Sequence, residues 1–181
     1  CSQSIIESFL NKCQVSRVGL WHINTCATII FYMTATAHAV IGTIIAAKIG
    51  NPALSIPIAI ASHIVADAIP HWDTATNLAQ KGQKKVIFDS LIDLVIGFIL
   101  SYILIVVVFP KTSLPYTFFL ILVSQSLDWL MVPYRLFNIN FPIFRWSYKF
   151  QKLFDNRQDK PWGIINQVAV LILLVILAKV F

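Results

Sequence analysis

Long apolar runs separated by short polar connections leave this chain few ways to fold. Five runs stand out: Thr34 to Ile49, Ala53 to Ile69, Val86 to Phe109, Tyr116 to Val132 and Trp162 to Val180. In a bilayer core every backbone amide and carbonyl must be bonded internally, so such runs are read as membrane helices. The expected fold class is all-α, a polytopic membrane helix bundle with about five transmembrane helices. Composition agrees: 57% of the residues are hydrophobic and 12% are charged, against about 25% charged in average soluble domains. The net charge of +6 then has no need of a nucleic-acid partner, and membrane lipid is the partner expected.

Basic residues cluster in three places: Lys12 and Arg17; Lys81, Lys84 and Lys85; and Arg135, Arg145, Lys149, Lys152, Arg157 and Lys160. Cytoplasmic loops carry an excess of Lys and Arg. The expected location is therefore the cell (inner) membrane, multi-pass, with the N-terminus and both polar loops cytoplasmic. The aromatic, basic segment Pro133 to Pro161 suits a headgroup surface, anchored by Trp146, Tyr148 and Trp162. Residues 1–32 are weakly patterned. They are expected to be an upstream extension, either foreign to the domain or partly helical, with Met33 as the start and 33–181 as the membrane helical domain. Cys1, Cys13 and Cys26 match no zinc or redox spacing and receive no role.

The first two runs are short for a crossing, which takes about 17–25 residues. Gly50-Asn51-Pro52 between them makes a tight hairpin, with Gly suited to a helix end and Pro to a helix start. His38, Gly42 and Ala46 recur every four residues, so the small pair lets a neighbouring helix approach and His38 points at that neighbour. On the second run His63 and Asp67 also lie four apart and share a face. Pro70 ends that helix, and His71 and Asp73 follow in the turn. Asp89 and Asp93 share a face near the start of the third run. Asp128, preceded by the polar Ser124, Gln125 and Ser126, is the only charge in the fourth.

Ionisable groups in apolar segments are expensive and mark function by default. Several carboxylates packed together must be protonated, paired or metal-bound. Imidazole mixed with carboxylate suits Zn, Mn or Fe. The expected ligands are His38, His63, Asp67, His71, Asp93 and Asp89, holding one or two divalent ions. Asp73 and Asp128 are expected as a second ligand set or as the general base, and a bridging water would be the nucleophile. Each group also has a plainer reading. His63 with Asp67 makes a hydrogen-bonded pair between helices, Asp89 suits a helix start, and Asp155 and Asp159 read as solvated loop charges.

The residues Thr36-Ala37-His38-Ala39-Val40-Ile41-Gly42, and Ser62 to Asp67 running into Pro70-His71-Trp72-Asp73, resemble the membrane-bound metal-dependent hydrolases, small multi-pass prokaryotic membrane proteins. The Asp89/Asp93 helix adds to the likeness. Relatives often carry a further His pair before the last helix, where this chain reads Phe144-Arg145-Trp146-Ser147-Tyr148. The resemblance implies hydrolysis. The site's expected depth, beside a basic aromatic loop, points to a lipid or phosphoester substrate at the cytoplasmic face. Arg145 and Lys149 are placed to meet a phosphate. The alternatives are a metal or proton transport protein, and a non-catalytic membrane scaffold.

Overall fold

A computed structural model describes residues 35–73, 82–156, 158 and 160–181. All belong to one compact unit, Phe31–Phe181; the expected extension 1–32 lies outside the described residues. Among those residues the regular structure is helical: α1 Ala35–Lys48, α2 Pro52–Ala68, α3 Gln83–Val107, α4 Leu114–Ser124, α5 Ser126–Phe137, α6 Pro142–Gln151 and α7 Trp162–Val180.

The distribution of polarity is inverted relative to a soluble bundle. The buried stripe of α3 reads Val86, Asp89, Asp93, Gly97, Ser101 and Ile105. Its outward faces carry Phe88, Leu91, Ile92, Val95 and Ile99. Helix α6 likewise buries Ser147 and Gln151 and exposes Ile143 and Trp146. Polar groups inside and apolar groups outside are what a lipid solvent selects. Two helices, α3 with 25 residues and α7 with 19, are long and apolar enough to cross a membrane.

The number of spans differs from the expected five. Helices α1 and α2, with 14 and 17 residues, are apolar but short. The expected fourth helix is two pieces, α4 and α5, bent by 44°. Counting that pair as one span gives up to three among the described residues. The bend falls at Gln125, with φ −96° and ψ 0°, where no Pro or Gly announces it. Side chains have entered the ladder instead. His63 bonds the Ser124 carbonyl, and Ser147 and Gln151 donate to the Leu127 carbonyl.

Helix α1 is the central element, packed by α2, α3, α4 and α7. Its small residues permit this. A Cβ on Gly42 would stand 3.0 Å from the Leu120 carbonyl oxygen and 3.2 Å from Ile121 Cα, so α4 rests directly on the α1 backbone. The α1–α2 hairpin closes as expected: the Asn51 side chain accepts from the Ala53 amide at 3.0 Å, beside Pro52 in the first turn.

Candidate metal centre

The hairpin sets His38, near the start of α1, against His63 and Asp67, near the end of α2. Their rings stack with centroids 3.9 Å apart at 20°. Asp67 bridges them: its Oδ1 is 3.3 Å from His38 Nε2 and its Oδ2 is 3.3 Å from His63 Nε2. Helix α5 restarts after the bend, which puts Asp128 in its first turn, where a carboxylate also complements the helix dipole. Asp128 Oδ1 stands 3.6 Å from His63 Nε2.

The hydrogen bonds decide how His63 is used. Its Nδ1 lies 2.7 Å from the Ser124 carbonyl, which can only accept, so Nδ1 carries a proton. Its Nε2 faces Asp67, Asp128 and, at 3.4 Å, Gln151 Oε1. Gln151 is fixed in that sense because its amide nitrogen donates to the Leu127 carbonyl at 2.7 Å and to Ser147 Oγ at 3.1 Å. Oxygens of Asp67, Asp128 and Gln151 thus surround one nitrogen of a fully buried ring. A proton or a cation on that nitrogen makes the arrangement favourable.

Among the described residues, His38, His63 and Asp67 form the group whose ligand atoms lie within 4.8 Å of one another. Each histidine meets a different oxygen of Asp67, at 3.3 Å in both cases. The near-parallel rings direct their in-plane lone pairs side by side, so one ion shared by both requires the stack to open. The donor set, two imidazoles and one or two carboxylates, fits Zn, Mn or Fe.

The remaining expected ligands are not brought to this point. Asp93 instead closes the start of α1. It accepts from the Ala35 amide at 2.8 Å, the Thr36 amide at 3.4 Å and Thr36 Oγ1 at 2.6 Å. In the first described turn of α1 a carboxylate also complements the helix dipole. Asp89 is 3.5 Å from Lys85 Nζ, one turn before it. His71 donates from Nδ1 to the Ile69 carbonyl at 2.9 Å and turns Nε2 towards Asp155 Oδ1, 3.9 Å away. Asp73 Oδ2 lies 3.8 Å from Arg135 Nη1.

His71 and Asp73 nevertheless border the same space. A cavity of about 730 Å³ opens beside the cluster, with His38, Asp67, His71, Asp73 and Asp128 in its wall. Asp155, read from sequence as a solvated charge, is largely buried at 19% exposure and lines this cavity. Its segment straps the turn after α2. Asn156 donates its amide to the Asp67 carbonyl at 3.0 Å, and His71 donates its amide to the Asn156 carbonyl at 3.1 Å. Asp159 lies outside the described residues. Ser124 and Gln125 bond α1 as well: Ser124 Oγ donates to the His38 carbonyl at 2.8 Å, and Gln125 Nε2 donates to the Ala35 carbonyl at 2.9 Å.

The class defined so far is a helical bundle with membrane-length helices and a His–His–Asp group, its two histidines buried, at one end of its central hairpin. No protein-family model, curated protein or solved structure matches the chain.

Proposed function

We propose that this protein is a metal-dependent hydrolase of the cytoplasmic membrane, of the kind its two histidine motifs resemble. It holds one divalent ion, Zn, Mn or Fe, on His38, His63 and Asp67. The substrate is a lipid or phosphoester reached at the cytoplasmic face. The observation that carries the reading is His63 Nε2, ringed by Asp67, Asp128 and Gln151 oxygens while Nδ1 is committed to Ser124.

An ion bound there would supply Lewis-acid activation of water or of a phosphoryl oxygen. Asp128 lies at the cavity wall within reach of the cluster and acts as the general base. Ser124 and Gln151 hold His63 in its orientation, as outer-shell partners of a ligating histidine do. Three polar groups towards the other end of the bundle are spent on the helices themselves. Thr43 Oγ1 donates to the Ala39 carbonyl, and Tyr116 bonds Ser55 and the Ile49 carbonyl. That favours a one-ended pocket over a transport path.

The test is elemental analysis of the full chain purified in detergent, followed by assays on a soluble phosphodiester and on lipid vesicles. About one ion per chain is expected, with hydrolysis that needs it, and His63→Ala loses both. Protein free of these metals, with properties unchanged by His63→Ala, would leave a scaffold. Bound metal without hydrolysis, together with metal flux into liposomes, would make it a transporter.

A further inference from the structure

The cavity beside the cluster is lined in part by α3 and α5, and its wall is chemically mixed. It includes the carboxylates Asp67, Asp73, Asp128 and Asp155 and the cations Arg135 and Lys152. It also includes apolar side chains, Leu91 and Leu94 from α3 and Trp129 and Val132 from α5. A water-soluble phosphoester has no use for the apolar share. The end of the gap is bridged, because Gln83 Nε2, at the start of α3, donates to the Leu136 carbonyl. The side is open. Leu91 and Trp129 line the cavity yet remain 55% and 48% exposed. Leu91 also belongs to the outward apolar face of α3, with Phe88, Ile92 and Val95. Helix α3 is one of the two helices fit to cross a membrane. The cavity wall and the face that would meet lipid are therefore one continuous apolar surface.

We propose that the gap between α3 and α5 is a lateral portal for one acyl chain of a membrane lipid. The chain enters from the bilayer along Leu91 and Trp129 and lies against Leu94 and Val132. Its ester or phosphate group then reaches His38, Asp67 and Asp128. An acyl chain moving this way never leaves apolar surroundings, so entry costs little desolvation, whereas a charged head without a chain gains nothing from the slot. What happens to the lipid once bound rests on the hydrolase reading; the portal itself does not.

The test uses the full chain in nanodiscs containing a phospholipid with a diazirine on its acyl chain. Photolysis and peptide mapping are expected to label Leu94 and Val132 as well as the outward residues Ile99 and Val106. Leu94→Trp, which fills the slot, should erase the label at Val132 and leave that at Ile99 and Val106. Labelling confined to the outward face in the wild type would overturn the portal, whether or not the protein is an enzyme. With hydrolysis established, Leu94→Trp should lower turnover of vesicle lipid about tenfold or more. It should leave turnover of bis(4-nitrophenyl) phosphate within about twofold. Equal loss of both substrates, or loss of neither, would also overturn it.

Discussion

His63 donates from Nδ1 to the carbonyl of Ser124, 2.7 Å away, across the bend between α4 and α5. One bond thereby does two jobs. It satisfies a carbonyl at the break, and it turns Nε2 towards Asp67. His63→Ala should therefore fail in two separable ways. Elemental analysis should find the metal gone. Thermal unfolding in detergent should show a loss of about 1–3 kcal/mol from the orphaned carbonyl. Retention of the ion at wild-type stoichiometry would remove His63 from the site.

Asp93 should behave in the opposite manner. Its carboxylate bonds Ala35 and Thr36, not the cluster. Asp93→Ala is expected to cost about 1–3 kcal/mol, the loss of a buried helix cap, while metal content stays at the wild-type value. A folded Asp93→Ala protein that has lost its ion would make Asp93 a ligand after all.

Acid should strip the ion. In the proposed site His38 and His63 would hold the ion as neutral imidazoles, and protons would compete for the same nitrogens. Retained metal measured after dialysis should fall as pH is lowered. Reloading at neutral pH in weak buffer should release protons. Retention independent of pH would point to carboxylates alone as the holders.

Gly163 separates packing from site chemistry. A Cβ there would stand 2.7 Å from both the Gln158 carbonyl oxygen and the Trp72 amide nitrogen, whereas Gly50 has nothing within 4 Å. Gly163→Ala should cost about 1–3 kcal/mol, because backbone rather than a flexible side chain must move. Gly50→Ala should change stability by no more than about 0.5 kcal/mol. Chemical unfolding of the two variants side by side checks the contrast.

What the sequence revealed follows the range of the interactions. The pairing of His63 with Asp67 is local, one helical turn, and could be read from spacing. The step of His38 with Gly42 announced that it points inward, but not at which helix: Gly42 meets Leu120 and Ile121 of α4, whereas the His38 ring stacks on His63 of α2. Asp93 was legible as a buried acid, but its role was not, because its partners Ala35 and Thr36 are 57–58 residues away. The bend at Gln125 was hidden because hydropathy runs smoothly across it and its cause lies on α2 and α6. Asp155 was misread for a related reason. Its neighbours in the chain are basic, while its neighbour in space is His71.

The capping of α1 by Asp93 also bears on how the molecule is made. The first described turn of α1 waits for hydrogen-bond acceptors that α3 brings. Those acceptors lie 57–58 residues further along the chain. The first described turn of α1 and the buried stripe of α3 therefore reach their final form in a single step of assembly, and a substitution on either is felt by both.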